Sequence, residues 1–317
     1  MKIIVLGTSE FVIHCIRGFL DSGNQIALVV SLKREYLPDN SIDMSKYTLK
    51  NKINYLEVKN IDDEKNISIL KSYQPDIIFS AWPKILKKPI LTIPKFGIIG
   101  SHPTNLPHNR GRHPLQWEII LGLTRSKLSF FLMDDGVDTG QLILQIPYKI
   151  EKEDTIVSLN NRVNETAYKG ALQLGKLFFE GNLPDGVEQD HKNANYWRKR
   201  SRHDIIIDFR MSAEQILQTV RSFTLPYPCA IILYNKTVLH IVKASIAQTD
   251  LDVQIIQRME PGKVIQANGS RMLVKSIDNI VDLTCQESIP VNLIEGKYIH
   301  PPTMYLAEDL NFFKQYL

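Results

Sequence analysis

The sequence predicts an α/β protein: a Rossmann-like, mostly parallel sheet in an N-terminal domain, followed by a smaller β-rich, OB-like barrel in a C-terminal domain. Three observations support this prediction. The first half of the chain alternates near-continuous apolar runs with helical patterns, which is typical of a parallel sheet covered on both faces. The composition turns polar and basic after residue 180. Short β runs with turns between them then fill the remainder.

In the N-terminal half, apolar runs mark the strands and amphipathic spacing marks the helices. The predicted strands cover residues 2–7, 25–32, 53–58, 76–82 and 97–102, and the predicted helices cover residues 10–20, 65–73 and 155–179. Two further apolar runs, 127–134 and 141–150, have no helix between them, so we expect them to end the sheet as an antiparallel pair.

We expect the first domain to span residues 1–182 and the second 205–317, with a linker at 183–204 where the chain is polar and basic. The second domain opens with a helical pattern from Ala213 to Thr224, which "PYP" ends. Five short apolar runs follow, at 230–234, 238–246, 262–267, 272–277 and 280–284.

Composition narrows the class of protein. The chain has 317 residues with a net charge of +4, and this mild charge permits an anionic ligand without requiring nucleic acid. No apolar run approaches the ~18 residues of a membrane span, and the start of the chain lacks the features of a signal peptide. Three scattered cysteines form neither a metal-ligand pair nor a disulfide framework. We therefore expect a cytoplasmic protein with no membrane partner and no bound metal. The sequence does not decide between a monomer and a homodimer.

Polar residues follow three of the predicted strands: Thr8–Ser9–Glu10, Ser80–Ala81–Trp82 and Ser101–His102. The first strand ends in "GTSEF" with a single glycine, so the dinucleotide fingerprint G-x-G-x-x-G is missing. Ligands of open parallel sheets still bind at the carboxyl ends of the strands. Turn residues alone would explain each strand end singly, but three together favour a site.

The segment "GSHPTNLPHNRGRHPLQW", residues 100–117, presents several histidines and arginines on a proline-rich loop. The histidine spacing matches no zinc site, and adjacent Ser101 and His102 point to opposite faces of a strand, which argues against a nucleophilic pair. An acid–base histidine with a carboxylate partner fits better. The loop "MDDGVDTG" offers such a carboxylate in Asp134, Asp135 or Asp138, although a glycine-rich turn with capping aspartates is also common.

Together, "HPTNLPHNRGRHP" and "MDDGVDTG" resemble the formyltetrahydrofolate-dependent formyltransferases, and "GTSEF" and "VRSFTLPYPCA" extend the resemblance along nearly the whole chain. The resemblance implies that His102 and Asp138 are catalytic, with N10-formyltetrahydrofolate as the co-substrate. The folate would contact two segments that follow strands. These residues are Ser80, Ala81, Trp82, Ile85, Leu86, Asp134, Asp135, Gly136 and Val137.

Gly100 departs from the family pattern, which has Asn two residues before the histidine. Ser101, Asn105, His113 or a backbone N–H would then replace the missing amide at the oxyanion, and we count Ser101 and Asn105 among the catalytic candidates.

For the acceptor, the sequence predicts the amine of a nucleotide-linked amino sugar, in lipopolysaccharide or nonulosonic-acid biosynthesis, with nucleic acid not expected. The stretch "LKREYLPDNSIDMSKYTLKNK" has basic residues but no glycine and several acids, whereas the tRNA-binding insertion of the methionyl-tRNA branch is rich in Gly, Lys and Arg. That branch is the alternative, and a non-catalytic folate- or nucleotide-binding protein is the alternative of another class. The expected substrate contacts are Thr8, Ser9, Glu10, Arg110, Arg112, His113 and Lys199.

Overall fold

A computed structural model of the chain describes residues 1–38 and 41–306. The chain divides into two compact units. Unit 1 comprises Met1–Pro114, Thr124–Ile150 and Asn160–Arg198, and unit 2 comprises Leu115–Leu123, Glu151–Leu159 and the chain from Lys199 onward.

The strands are β1 (Lys2–Gly7), β2 (Gln25–Leu32), β3 (Tyr55–Val58), β4 (Ile77–Ala81), β5 (Ile98–His102), β6 (Arg110–Gly111), β7 (Arg125–Leu132), β8 (Leu142–Lys149), β9 (Tyr196–Trp197), β10 (Ala230–Tyr234), β11 (Thr237–Ile246), β12 (Val264–Asn268), β13 (Arg271–Lys275) and β14 (Ile280–Cys285). The helices are α1 (Glu10–Asp21), α2 (Met44–Lys50), α3 (Glu64–Ser72), α4 (Lys88–Leu91), α5 (Pro114–Ile120), α6 (Ile156–Phe179), α7 (Ala213–Ser222) and α8 (Val253–Gln257).

Unit 1 is built on a seven-stranded sheet in the order β3-β2-β1-β4-β5-β7-β8. The strands from β3 to β5 pair in parallel, whereas β7 runs antiparallel to both β5 and β8. Both features confirm the predicted mostly parallel sheet that ends in an antiparallel pair. The order reverses at β1 and β4, which is where open α/β sheets bind ligands.

Alternate residues of the buried strands face opposite sides of this sheet. On one side, Ile4 and Leu6 of β1 pack in a cluster with Leu70 of α3. On the other, the ring of Phe79 in β4 lies 5.6 Å from that of Phe19 in α1, edge to face. Burial on both faces explains why these strands are apolar at nearly every position.

Unit 2 contains a five-stranded antiparallel sheet in the order β10-β11-β14-β13-β12. Helix α7 begins at a capping box, in which Ser212 and Gln215 satisfy each other's backbone N–H groups. Its apolar residues Ile216 and Val220 pack on the sheet within the second core. The predicted fold class, an α/β domain followed by a β-rich domain, is confirmed.

Within the segment 183–204, which is predicted as a linker, residues up to Arg198 make ordered contacts within unit 1. Val187 forms an isolated antiparallel bridge with Leu142, and β9 pairs in parallel with β6. The compact division falls after Arg198, inside the predicted linker. Among the helices of residues 1–38 and 41–306, none is long and apolar enough to cross a bilayer.

Candidate active site

The loop that follows β5 is held by polar side chains of the neighbouring strands β7 and β8. Ser129 Oγ donates to the carbonyl of Thr104 at 2.6 Å, and Gln145 Nε2 donates to the carbonyl of Leu106 at 3.0 Å. Tyr148 Oη donates to the carbonyl of Pro103 at 2.8 Å. These bonds satisfy buried carbonyl groups of the loop and fix its path away from His102.

His102, the last residue of β5, is buried and has an acceptor at each ring nitrogen. Nε2 lies 2.9 Å from the carbonyl oxygen of Asn109, which accepts only, so this nitrogen carries the proton. Nδ1 lies 3.6 Å from Oδ2 of Asp138. When the imidazole is doubly protonated, both N–H groups therefore face an oxygen acceptor.

Asp138 reaches His102 because the loop after β7 turns back along the sheet. Leu132, at the end of β7, pairs with Ile99, three residues before His102 and thus about 10 Å away along the strand. Asp138 adopts a left-handed backbone conformation with φ of +55°. Its Oδ2 also accepts the N–H of Gly111 at 2.9 Å.

Gly111 must be glycine for this contact. Its φ of +107° is rare for other residues, and an added Cβ would lie 2.4 Å from the carbonyl oxygen of Trp197. The close approach of β6 to β9 therefore depends on the absence of a side chain at residue 111.

The remaining candidate catalytic residues lie near His102. Ser101 precedes it in β5 and points to the opposite face of the sheet. Asn105 is half-buried, and its carbonyl accepts the N–H of His108 at 3.1 Å. At Gly100, an added Cβ would lie 2.9 Å from both Met133 Cγ and Phe131 Cζ. These two side chains fill the space into which a side chain at residue 100 would project.

The residues predicted to contact folate differ in accessibility. Ile85 and Val137 are 72% and 43% exposed, so both side chains are accessible to a ligand. Trp82 is half-buried and, like the buried Leu86, packs in the core cluster above β1 and β4. Asp134 accepts the Gly136 N–H and the Thr139 hydroxyl, so it shapes the turn. Ser80 is buried, Ala81 is half-buried, and Asp135 and Gly136 are exposed.

The residues predicted to contact substrate are dispersed. Thr8 is buried and accepts a hydrogen bond from Ser41 Oγ at 3.0 Å. Arg110 is buried under β9. The others are Ser9 and His113, which are half-buried, and Glu10, Arg112 and Lys199, which are exposed. Lys199 belongs to unit 2, whereas the rest belong to unit 1.

Sequence reasoning missed the residues of the segment 189–197 that surround this site. Arg110 donates from Nε and Nη2 to Gln189 Oε1 and from Nη1 to Tyr196 Oη. Asn195 accepts the Asn109 N–H at 2.9 Å and donates back to the Asn109 side chain at 3.0 Å. Amide side chains in a polar stretch carry no periodic signal, so these contacts cannot be inferred from the sequence pattern.

Among the described residues, no group of three or more His, Cys, Asp or Glu side chains is arranged to hold a metal ion. The candidate site contains the His102–Asp138 pair, the buried Arg110 and the backbone groups of Asn109 and Gly111.

Comparison with known proteins covers both units. Residues 1–174 match the sequence model described as formyl transferase, and residues 199–287 match that of the formyl transferase C-terminal domain. The chain is 30% identical over 295 residues to a methionyl-tRNA formyltransferase of Alkaliphilus oremlandii, covering 89% of this chain and 90% of that protein. It is 29% identical to that of Clostridioides difficile, covering 96% of this chain and 98% of that protein.

Solved structures show the same fold. The sugar 3N-formyltransferase WlaRD matches with a TM-score of 0.66 and 17% identity over 91% of this chain and 99% of that one. A methionyl-tRNA formyltransferase from Clostridium thermocellum matches with a TM-score of 0.56 and 23% identity over 78% of this chain and 94% of that one.

The curated relatives correct the prediction of an amino-sugar nucleotide as acceptor. Relatives at 26–30% identity are named methionyl-tRNA formyltransferase, the branch that the charge of the sequence disfavoured. At 17% identity, the similarity to the sugar formyltransferase is evidence for a shared fold only. The prediction of a sugar-nucleotide acceptor is therefore wrong, whereas that of a formyltransferase is confirmed. Since the matched family model covers more than half of the chain and the relatives extend over both units, the chain belongs to the formyl transferase family.

Proposed function

We propose that the chain is a methionyl-tRNA formyltransferase, which moves the formyl group of N10-formyltetrahydrofolate to the α-amino group of methionyl-tRNA. One observation carries the proposal: relatives of that name align with 89–96% of the chain, including its second domain. This reaction belongs in the cytoplasm, where aminoacyl-tRNA is made and used.

The residues at the end of β5 suit the chemistry. Bound N10-formyltetrahydrofolate supplies an electrophilic formyl carbon. The amine forms a new N–C bond, the bond from N10 to that carbon breaks, and one proton leaves the amine while another reaches N10. We propose that the Nε2–H of His102, which points to the Asn109 carbonyl in this structure, donates instead to the formyl oxygen as that oxygen gains negative charge, and such stabilisation is worth roughly 10²–10³ in rate. Asp138, 3.6 Å from Nδ1, orients the ring.

Exposed apolar residues support folate binding near this pair. Ile85 and Val137 expose large aliphatic side chains, and each follows a strand that ends by the site, β4 and β7 respectively. A pterin ring in contact with them would remove apolar surface from water. We propose that both residues contact the folate, with Trp82 supporting them from the core.

Surface charge is compatible with a tRNA acceptor. Between β2 and β3, the segment 33–52 carries five cations, all of them exposed: Lys33, Arg34, Lys46, Lys50 and Lys52. Phosphate contacts of this kind make affinity fall steeply with salt.

The proposal is tested by assaying the full chain with N10-formyltetrahydrofolate and three acceptors: methionyl-tRNA, uncharged tRNA and an amino-sugar nucleotide. We expect formylation of methionyl-tRNA alone, with kcat/KM falling between 50 and 200 mM salt by up to ~10³-fold if about six phosphates are contacted. Formylation of the sugar nucleotide alone would overturn the acceptor. Folate binding without turnover on any acceptor would favour a non-catalytic protein.

The catalytic pair is tested with His102→Ala, Asp138→Ala and the double variant. We expect each single variant to lose most of kcat, and the double variant to be little worse than the weaker single one, because residues that act as a unit are non-additive. Multiplicative losses, or full activity of either single variant, would contradict the pairing.

A further inference from the structure

Gln189 is a buried amide whose four hydrogen bonds connect Arg110 to the loop that carries Asp138. It is 3% exposed, although its neighbours along the segment are exposed. Its Oε1 accepts from Arg110 Nε at 3.2 Å and from Nη2 at 2.7 Å. Its Nε2 donates to the carbonyl of Asp138 at 2.9 Å and to that of Gly140 at 2.7 Å. Both donors and both acceptor positions of the amide are therefore used.

The loop to which Gln189 donates its hydrogen bonds has an unfavourable backbone conformation at Asp138. Asp138 has φ of +55°, a region that residues other than glycine occupy at a free-energy cost of about 1–3 kcal/mol. Two donors on one side chain hold the carbonyls of residues 138 and 140 and so fix both ends of this turn. The carboxylate of Asp138 then points to the Gly111 N–H and to His102 Nδ1.

The chemistry of the side chain at residue 189 separates two roles, which are pairing with the buried Arg110 and holding the loop that carries Asp138. Arg110 is 2% exposed, and no described carboxylate lies within ion-pair distance of it. Its hydrogen-bond partners are Gln189, Tyr196 Oη at 3.0 Å and His191 Nδ1 at 3.3 Å. If satisfying this buried cation were the only task, a glutamate would do it better, since charge-assisted bonds are stronger. Only an amide accepts from the guanidinium and also donates to two carbonyls.

From this arrangement we infer that Gln189 is a positioning residue that holds Asp138 against His102, with Arg110 fixing the orientation of the amide. The inference rests on the proposed function only through the catalytic role of the His102–Asp138 pair. The guanidinium polarises the amide and strengthens its two donor bonds. A loss of these donors lets the turn at Asp138 relax, and a shift of ~1 Å at a catalytic group lowers the rate by up to about 100-fold.

The decisive variant is Gln189→Glu, which keeps the acceptor for Arg110 and removes both donors to the loop. Gln189→Met removes all four bonds at similar volume. Gln141→Met is the matched control, since the Gln141 amide donates to the exposed Glu188 at 2.6 Å. We expect Gln189→Glu to lower kcat by about 10- to 100-fold with KM values within about threefold of the wild type, and the control to retain both.

Two further readouts distinguish positioning from general stability. The Gly111 amide, which donates to Asp138 Oδ2, should exchange with solvent at least about tenfold faster in Gln189→Glu, because the carboxylate is no longer held. In an Asp138→Ala background, Gln189→Glu should change the residual kcat by less than about twofold, because it acts through the missing carboxylate.

Wild-type kcat in Gln189→Glu, or losses that multiply in the Asp138→Ala background, would overturn the inference and leave Gln189 as a partner for Arg110 only. If Gln189→Glu does not fold, Gln189→Met carries the same expectations; if neither folds, the amide is a folding determinant and the inference fails. Inactivity of the wild type on methionyl-tRNA would reject the proposed function instead, and amide exchange at Gly111 would still report on Gln189.

Discussion

Gly100→Asn restores the residue that the formyltransferase pattern has two positions before the catalytic histidine, and we expect it to impair the enzyme. Gly100 is buried in β5, and an added Cβ would lie 2.9 Å from Phe131 Cζ and from Met133 Cγ. Phe131 is 4% exposed, so its ring has little room to move. Overpacking of this kind costs about 1–3 kcal/mol, which corresponds to a fall in Tm of roughly 2–12 °C for a domain of this size.

The assay combines calorimetry with steady-state formyl transfer. Gly100→Ala is the matched control, because it introduces the same Cβ without an amide. We expect both variants to lower Tm, with the larger loss of Tm and of kcat in Gly100→Asn. The double variant Gly100→Asn/Met133→Ala, which opens space beside the new side chain, should recover Tm without raising kcat above the wild type.

The opposite result would refute the reasoning. If Gly100→Asn raises kcat towards the ~10²-fold that one oxyanion donor supplies, while Tm stays unchanged, then the natural chain lacks a needed donor and the space beside Gly100 is not filled. A rise confined to the double variant would show that crowding alone keeps the amide from acting.

Two further predictions concern ligand contact and acid stability. Ile85→Ala should raise KM for the formyl donor about three- to tenfold, because apolar contact with the folate is lost. Tm should change little, since Ile85 is 72% exposed, and the control Leu49→Ala, at an 82% exposed residue, should leave KM unchanged. An unaltered KM for Ile85→Ala would contradict folate contact. Burial raises the pKa of Asp278, but hydrogen bonds from the Ala213 N–H and Ser276 Oγ outweigh it and hold the pKa below its usual value. Since the folded-state pKa lies below the unfolded one, the stabilisation is present above the unfolded pKa and is lost as the pH falls through the folded one. Asp278→Asn should therefore destabilise the protein by roughly 0.3–1 kcal/mol near neutral pH and by less at about pH 3, as measured by urea unfolding; an equal loss at both pH values would contradict this reasoning.

The sheet was predictable because burial on both faces leaves a signal in nearly every residue of a strand. β1 and β2 are apolar almost throughout, and their bounds agree with the prediction. Helices α4 and α5 were missed, since four and seven residues are too few to show a helical period. Pro114 opens α5, where a proline fits the first turn, yet in the sequence it marks a loop equally well.

The proposed catalytic pair, His102 and Asp138, could be named from the sequence, whereas the residues that contact it from the segment 189–197 could not. His102 and Asp138 belong to segments whose residue types match a known pattern. Gln189 lies 51 residues beyond Asp138 in a polar stretch that has the composition of a linker. Composition describes the average residue of such a stretch, whereas the contact depends on one buried amide within it. Long-range hydrogen bonds between short polar side chains and backbone leave no periodic trace.

The acceptor was mispredicted because charge totals, of the chain and of one segment, were used in place of the potential at a contact surface. The segment 33–52 differs from the tRNA-binding insertion of the methionyl-tRNA branch in having no glycine and several acidic residues, and the prediction rested on that difference. In the structure, Asp43 caps α2 by accepting the Ser45 N–H at 3.0 Å and lies 3.9 Å from Lys46, so the helix N-terminus and one lysine partly offset its charge. The exposed cations Lys50 and Lys52 lie beyond that pair in the chain, at and after the end of α2. A polyanion responds to the electrostatic potential at the surface that it contacts, and this potential falls off within about 8–10 Å at ordinary salt. The net charge of a whole chain does not report that local potential.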